Sequence, residues 1–150
     1  MRSLLRVFLI LIIPAILIGL SPVHPAPADA EVVIIVNKTN TVTDITPDYV
    51  RKLLLCDINY WPNRRRVAVL MLPSGDPGRN AVLRSFYKMN DSEFTKYFMQ
   101  ASFTGRVQMI PHEVSSTEDM KKQIAENPGA IGFLKRADID DSVRVIFVIP

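Results

Sequence analysis

Val32 to Val36 is an unbroken β-branched run, and a strand with no polar alternation has to be covered on both faces. Such a sheet needs a helical layer on each side, and the rest of the chain supplies the helices. Thr46-Pro47 opens one, with Thr46 as N-cap and Pro47 in the first turn, where its missing N–H costs nothing. Val50, Leu53 and Leu54 give it an apolar stripe. Val67 to Met71 predicts a second strand, Pro73 to Asp76 a turn, and about Pro77 to Met89 a helix with Val82, Leu83 and Phe86 facing inward. Asn90 to Glu93 has the spacing of a capping box, and Phe94, Tyr97, Phe98 and Ala101 continue it at helical intervals. Ser115 with Glu118 opens a further helix, closed by Asn127-Pro128-Gly129. Ala130 to Leu134 and Val143 to Ile149 read as strands. The order β-α-β-α-α-(β)-α-β-β predicts an α/β fold, a three-layer sandwich with a mainly parallel mixed sheet.

The segment before this alternation has a different character. Arg2 and Arg6 precede an apolar run over residues 7–20, and Ala28-Asp29-Ala30 follows as an A-x-A cleavage site. A membrane-spanning helix needs roughly 20 apolar residues, more than this run holds, and Pro14 interrupts it. Residues 1–30 are therefore expected to be a signal peptide, and 31–150 a single periplasmic or secreted domain. Membrane contact would be limited to the signal segment before cleavage. The alternative is an uncleaved anchor.

The 18 basic and 15 acidic side chains fall to 16 and 14 once Arg2, Arg6 and Asp29 leave with that segment. So even a balance argues against a nucleic-acid binder, whose affinity rests on many phosphate contacts. A single cysteine, Cys56, excludes an internal disulfide and a multi-cysteine metal site. Catalytic chemistry is sparse. His112 is the only imidazole after residue 30, and Cys56 has no base beside it in sequence. Asp138, Asp140 and Asp141 resemble part of a calcium loop but lack its glycine and terminal glutamate. No enzyme activity, cofactor or metal is expected. Arg64 to Arg66 is the strongest charge run, a solvated turn or a contact for an anionic lipid or protein.

One segment has a physical reason to bind something. Ser74-Gly75-Asp76-Pro77-Gly78-Arg79-Asn80 joins a strand to a helix N-terminus, where free N–H groups and the helix dipole favour an anion. Gly75 and Gly78 admit close approach to the backbone; Ser74, Arg79 and Asn80 add donors. The other reading is local: Gly75 turns the chain and Asp76 caps the helix, its carboxylate competing with any anion.

Several segments, in this order, resemble the phosphate-type ABC transporter periplasmic substrate-binding proteins, and more closely the short, single-domain members of that superfamily. Leu53 to Pro62 is similar to the family's helix end and Trp-bearing loop, with Cys56 in place of the usual Gly. Pro73 to Phe86 resembles the ligand loop and its helix, Phe103-Thr104-Gly105-Arg106 the segment after the paired helices, and Asn127 to Phe133 the Pro-Gly-Ala-Ile-Gly-Tyr start of a strand. The resemblance implies one lobe of a type II periplasmic binding protein. It also implies a ligand surface of Ser74, Gly75, Asp76, Gly78, Arg79 and Asn80, joined by Thr104, Gly105 and Arg106, for a phosphate-like inorganic anion.

This sequence departs from the family at the loop. Leu72 falls on the family's Arg, Ser74 on its Asp, and Asp76-Pro77-Gly78 on its Ser-Gly-Thr, and the second lobe is missing. At most weak phosphate binding is expected. An accessory role in an envelope or transporter assembly, through Tyr60, Trp61 and the arginine run, is the alternative.

Overall fold

The computed structural model describes residues 31–149; the signal-peptide expectation lies outside them. Strands β1 (Val32–Asn37), β2 (Ala68–Met71), β3 (His112–Glu113), β4 (Ala130–Lys135) and β5 (Val143–Val148) form one sheet in the order β3-β2-β4-β1-β5. β2 pairs parallel with β3 and β4, whereas β1 pairs antiparallel with β4 and β5. Four strands thus share a direction and β1 opposes them from inside the sheet.

Helices α1 (Pro47–Leu54), α2 (Pro77–Val82), α3 (Asp91–Phe103) and α4 (Thr117–Glu126) complete the fold. Two adjacent residues of β4 establish the layering. A Cβ added at Gly132 would lie 2.4 Å from Met120 Sδ of α4, and one at Gly78 of α2 would lie 3.6 Å from the Phe133 ring. Successive strand residues point to opposite faces, so α4 and α2 cover opposite sides of the sheet. Val33, Ile34, Ile35 and Val36 are fully buried between them, each side chain contributing about 1.5–3 kcal/mol of burial. Among the described residues no helix is long and apolar enough to cross a membrane.

Local chemistry sets the element ends. Thr46 Oγ1 accepts from Tyr49 N at the start of α1, and the Asn90–Glu93 capping box is closed in both directions. The helix expected over Pro77–Met89 is α2 followed by a π-helical turn, Leu83–Tyr87, ended by Lys88 in the left-handed region. That turn points Leu83, Phe86 and Tyr87 into the core together. The cap of α4 is Ser116, one residue beyond the expected Ser115, which instead donates to Asp119.

Candidate functional site

The bend from Pro73 to Asp76 leaves β2 and enters α2. Gly75 has φ +88°, a conformation that side chains resist, and Asp76 caps α2 by accepting from Arg79 N at 2.9 Å. Ser74 and Gly75 are exposed, Asp76 and Asn80 half-buried, and Gly78 and Arg79 buried.

The Arg79 side chain lies inside the fold. Its Nε donates to Asp91 Oδ1 at 2.6 Å, its Nη1 to Glu113 Oε2 at 2.8 Å and to the Leu72 carbonyl at 2.7 Å, and the guanidinium sits 5.2 Å from the Phe94 ring centroid. Three elements deliver these partners. The capping box of α3 fixes Asp91 in its first turn, and the register Met71↔Glu113 between β2 and β3 brings Glu113 alongside.

Asp91 also accepts from Ser74 Oγ at 2.9 Å and from the Gly75 backbone. Burial pushes its pKa up, but the Ser74, Arg79 and Gly75 bonds outweigh that and hold it below the ordinary carboxylate value. Ser74, Gly75 and Arg79 therefore converge on one carboxylate, and that carboxylate belongs to the chain itself. Sequence reasoning missed Asp91 and Glu113 as partners. Asp91 read only as part of the Asn90–Glu93 capping box, and no motif singled out Glu113.

Thr104, Gly105 and Arg106 lie at the other end of α3, which rises ~18 Å over its length. Thr104 donates to the Gln100 carbonyl, Gly105 takes φ +70°, and Arg106 stacks over Tyr97 and faces Asp57 at 3.9 Å. The two expected segments thus occupy opposite ends of one helix.

Other candidates resolve similarly. Trp61 is buried with Nε1 donating to the Gly129 carbonyl at 2.9 Å, so it is not an interface residue; Tyr60 beside it is exposed. Cys56 is buried at φ +59°, where the family's glycine would be unstrained, and burial together with Asp57 pushes its thiol up to about 12. Asp140 pairs with Lys121 at 2.8 Å and accepts from Ser142. His112 is exposed on the edge strand β3.

Between α3 and the segment before β3 runs an apolar groove of about 540 Å³, walled by Phe94, Phe98, Met99, Phe103, Ile110 and Pro111. Phe103 is 91% exposed and Met99 69%, an unusual display for side chains of this size.

A five-stranded mixed sheet with helices on both faces, and a glycine bend running from strand to helix, is the architecture of a periplasmic-binding-protein-like lobe. Solved structures with this fold include an ABC-type phosphate transport receptor from Vibrio cholerae, with a TM-score of 0.62 and 21% identity over 77% of this chain and 45% of that one. PstS from Borrelia burgdorferi gives a TM-score of 0.57 and 14% identity over 78% and 46%. This chain spans less than half the length of either protein. No family model and no curated protein sequence matches it.

Proposed function

We propose that the chain is a non-enzymatic binding domain working outside the cytoplasm, with at most weak affinity for a phosphate-like anion at the Ser74–Asn80 bend. The convergence of Ser74 Oγ, the Gly75 backbone and Arg79 Nε on Asp91 carries this reading. Those donors are arranged as an anion would need them, but Asp91 already occupies them. With Asp76 and Glu113 nearby, the carboxylates outnumber the one buried guanidinium. Thr104 to Arg106 are too far along α3 to complete the same site. Calorimetry with inorganic phosphate tests the reading: binding no tighter than millimolar is expected, and micromolar affinity overturns it.

A second reading, an accessory interaction subunit of an envelope or transporter assembly, is favoured by the exposed Phe103 and Met99 beside the apolar groove. Apolar surface of this kind commonly marks a protein contact. Light scattering tests it. Association weakened by Phe103→Ser and Met99→Ser supports the contact, and a strict monomer that co-purifies with nothing counts against it.

A further inference from the structure

The end of the sheet opposite the bend carries basic and apolar groups side by side. β2 and β3 run parallel as neighbours, so the segments leading into them, residues 56–67 and 104–111, arrive at the same end. Arg66 Nη2 donates to Gln108 Oε1 at 3.4 Å and Arg106 faces Asp57, which ties the two segments together.

The first segment is a closed hairpin. Val67 N donates to the Asn59 carbonyl at 2.9 Å, Trp61 N to that of Arg65 at 2.8 Å, and Arg64 N to that of Trp61 at 2.8 Å. The buried Trp61 indole, bonded to the Gly129 carbonyl, anchors the turn to the start of β4. Arg64, Arg65 and Arg66 stand exposed on it, and none of them makes an ion pair among the described residues. The acids of this end, Asp44, Asp57 and Glu126, lie outside the turn, so its tip is wholly basic. An ordered turn thus holds out free guanidinium groups, whose planar fork fits phosphate oxygens.

The second segment supplies apolar side chains. Phe103, where α3 hands over to it, projects almost entirely into solvent, and Ile110 is 54% exposed, as is Tyr60 on the hairpin. A ring standing that proud suits a soft phase that it can enter. Arginines beside exposed aromatic and aliphatic groups match the layers of a membrane–water interface, phosphate outside and hydrocarbon beneath. Attachment there strengthens with both the buried apolar area and the attraction to anionic lipid.

We infer that this end of the domain docks on an anionic phospholipid surface, with Arg64, Arg65, Arg66 and Arg106 on the phosphates and Phe103 and Ile110 in the acyl boundary. The folded domain then touches the membrane in addition to the expected signal segment, and the bend faces away from the bilayer. The inference rests neither on phosphate binding at the bend nor on self-association at the apolar groove, and its test reads neither.

Co-sedimentation of residues 31–150, which hold every described strand and helix, with lipid vesicles tests it. Binding is expected to vesicles of equal parts phosphatidylglycerol and phosphatidylcholine, to fall steeply as salt rises, and to be weak on phosphatidylcholine alone. Arg64→Gln with Arg65→Gln leaves the backbone bonds of the hairpin in place and is expected to weaken binding about tenfold. The charge-matched pair Lys122→Gln with Lys135→Gln is expected to weaken it far less. Phe103→Trp is expected to shift fluorescence emission to the blue on the anionic vesicles. Equal binding to both vesicle types overturns the inference, and so does an equal loss, or no loss, in the two double variants. Unshifted emission from Phe103→Trp overturns it as well, since a soluble polyanion or an acidic protein would engage the arginines without burying that ring.

Discussion

The carboxylate of Asp91, in the first turn of α3, meets the guanidinium of Arg79 at 2.6 Å, across a bend that in sequence looks ready for an external anion. The Arg79 side chain is 5% exposed and that of Asp91 30%. The pair welds α3 to the β2–α2 junction, and Glu113 extends the bond to β3.

Asp91→Ala is expected to cost about 2 kcal/mol, below the usual loss for a broken buried pair because Asp91 is part-exposed and Glu113 remains. The same change vacates the donors of Ser74, Gly75 and Arg79. Millimolar phosphate should therefore raise the melting temperature of the variant and leave that of the wild type nearly unmoved.

Acid should dissolve this link in a defined order. The folded pKa of Asp91 lies below its ordinary value of 3.8, so its stabilisation is complete above that value and is lost as pH falls through the lower folded one. The gap in urea midpoint between wild type and Asp91→Asn should be flat from neutrality to about pH 5 and shrink on further acidification. A gap that widens in acid contradicts this.

Two glycines of the segment before and within β4 are fixed by their neighbours. A Cβ at Gly129 would lie 2.0 Å from the Arg66 carbonyl oxygen, and one at Gly132 2.4 Å from Met120 Sδ. Gly132→Ala should cost about 1–3 kcal/mol as Met120 and Ile124 give way. Gly129→Ala should cost more, since backbone cannot yield as a side chain does. Gly75→Ala meets open space and pays only for its positive φ, about 1 kcal/mol. Chemical denaturation should rank Gly129→Ala as the most destabilising, Gly132→Ala next and Gly75→Ala least.

Cys56 should be inert in the folded protein. Its thiol is pushed up to about 12 by burial and Asp57, and the thiolate is the reactive form. A thiol reagent at mildly alkaline pH should label it only at the rate of unfolding, and rapid labelling of the native protein would contradict the buried position.

The element order was legible in the sequence because each helix carries its own start signal and β1 and β5 carry β-branched runs, with apolar runs marking β2 and β4. Tertiary pairing was not. Arg79 stands at i to Val82, Leu83 and Phe86 at i+3, i+4 and i+7, and this spacing places it on the buried stripe of its helix. That was the available clue that its charge would be spent internally. Nothing local marks which carboxylates meet it, since Asp91 and Glu113 arrive from separate elements. The reversed direction of β1 was equally hidden, because its residues suit either pairing.

The place of β1 bears on how the molecule assembles. Its partners are β4 and β5, the last two strands among the described residues, with Val33 facing Leu134 on one side and Val148 on the other. A polypeptide delivered N-terminus first, from a ribosome or through a pore, holds this apolar ribbon unzipped until β4 and β5 have emerged. Closing contacts of such long range is slow, and the waiting segment is prone to aggregation. Emergence of β4 and β5, rather than any early helix, is the event that commits the sheet to its native topology.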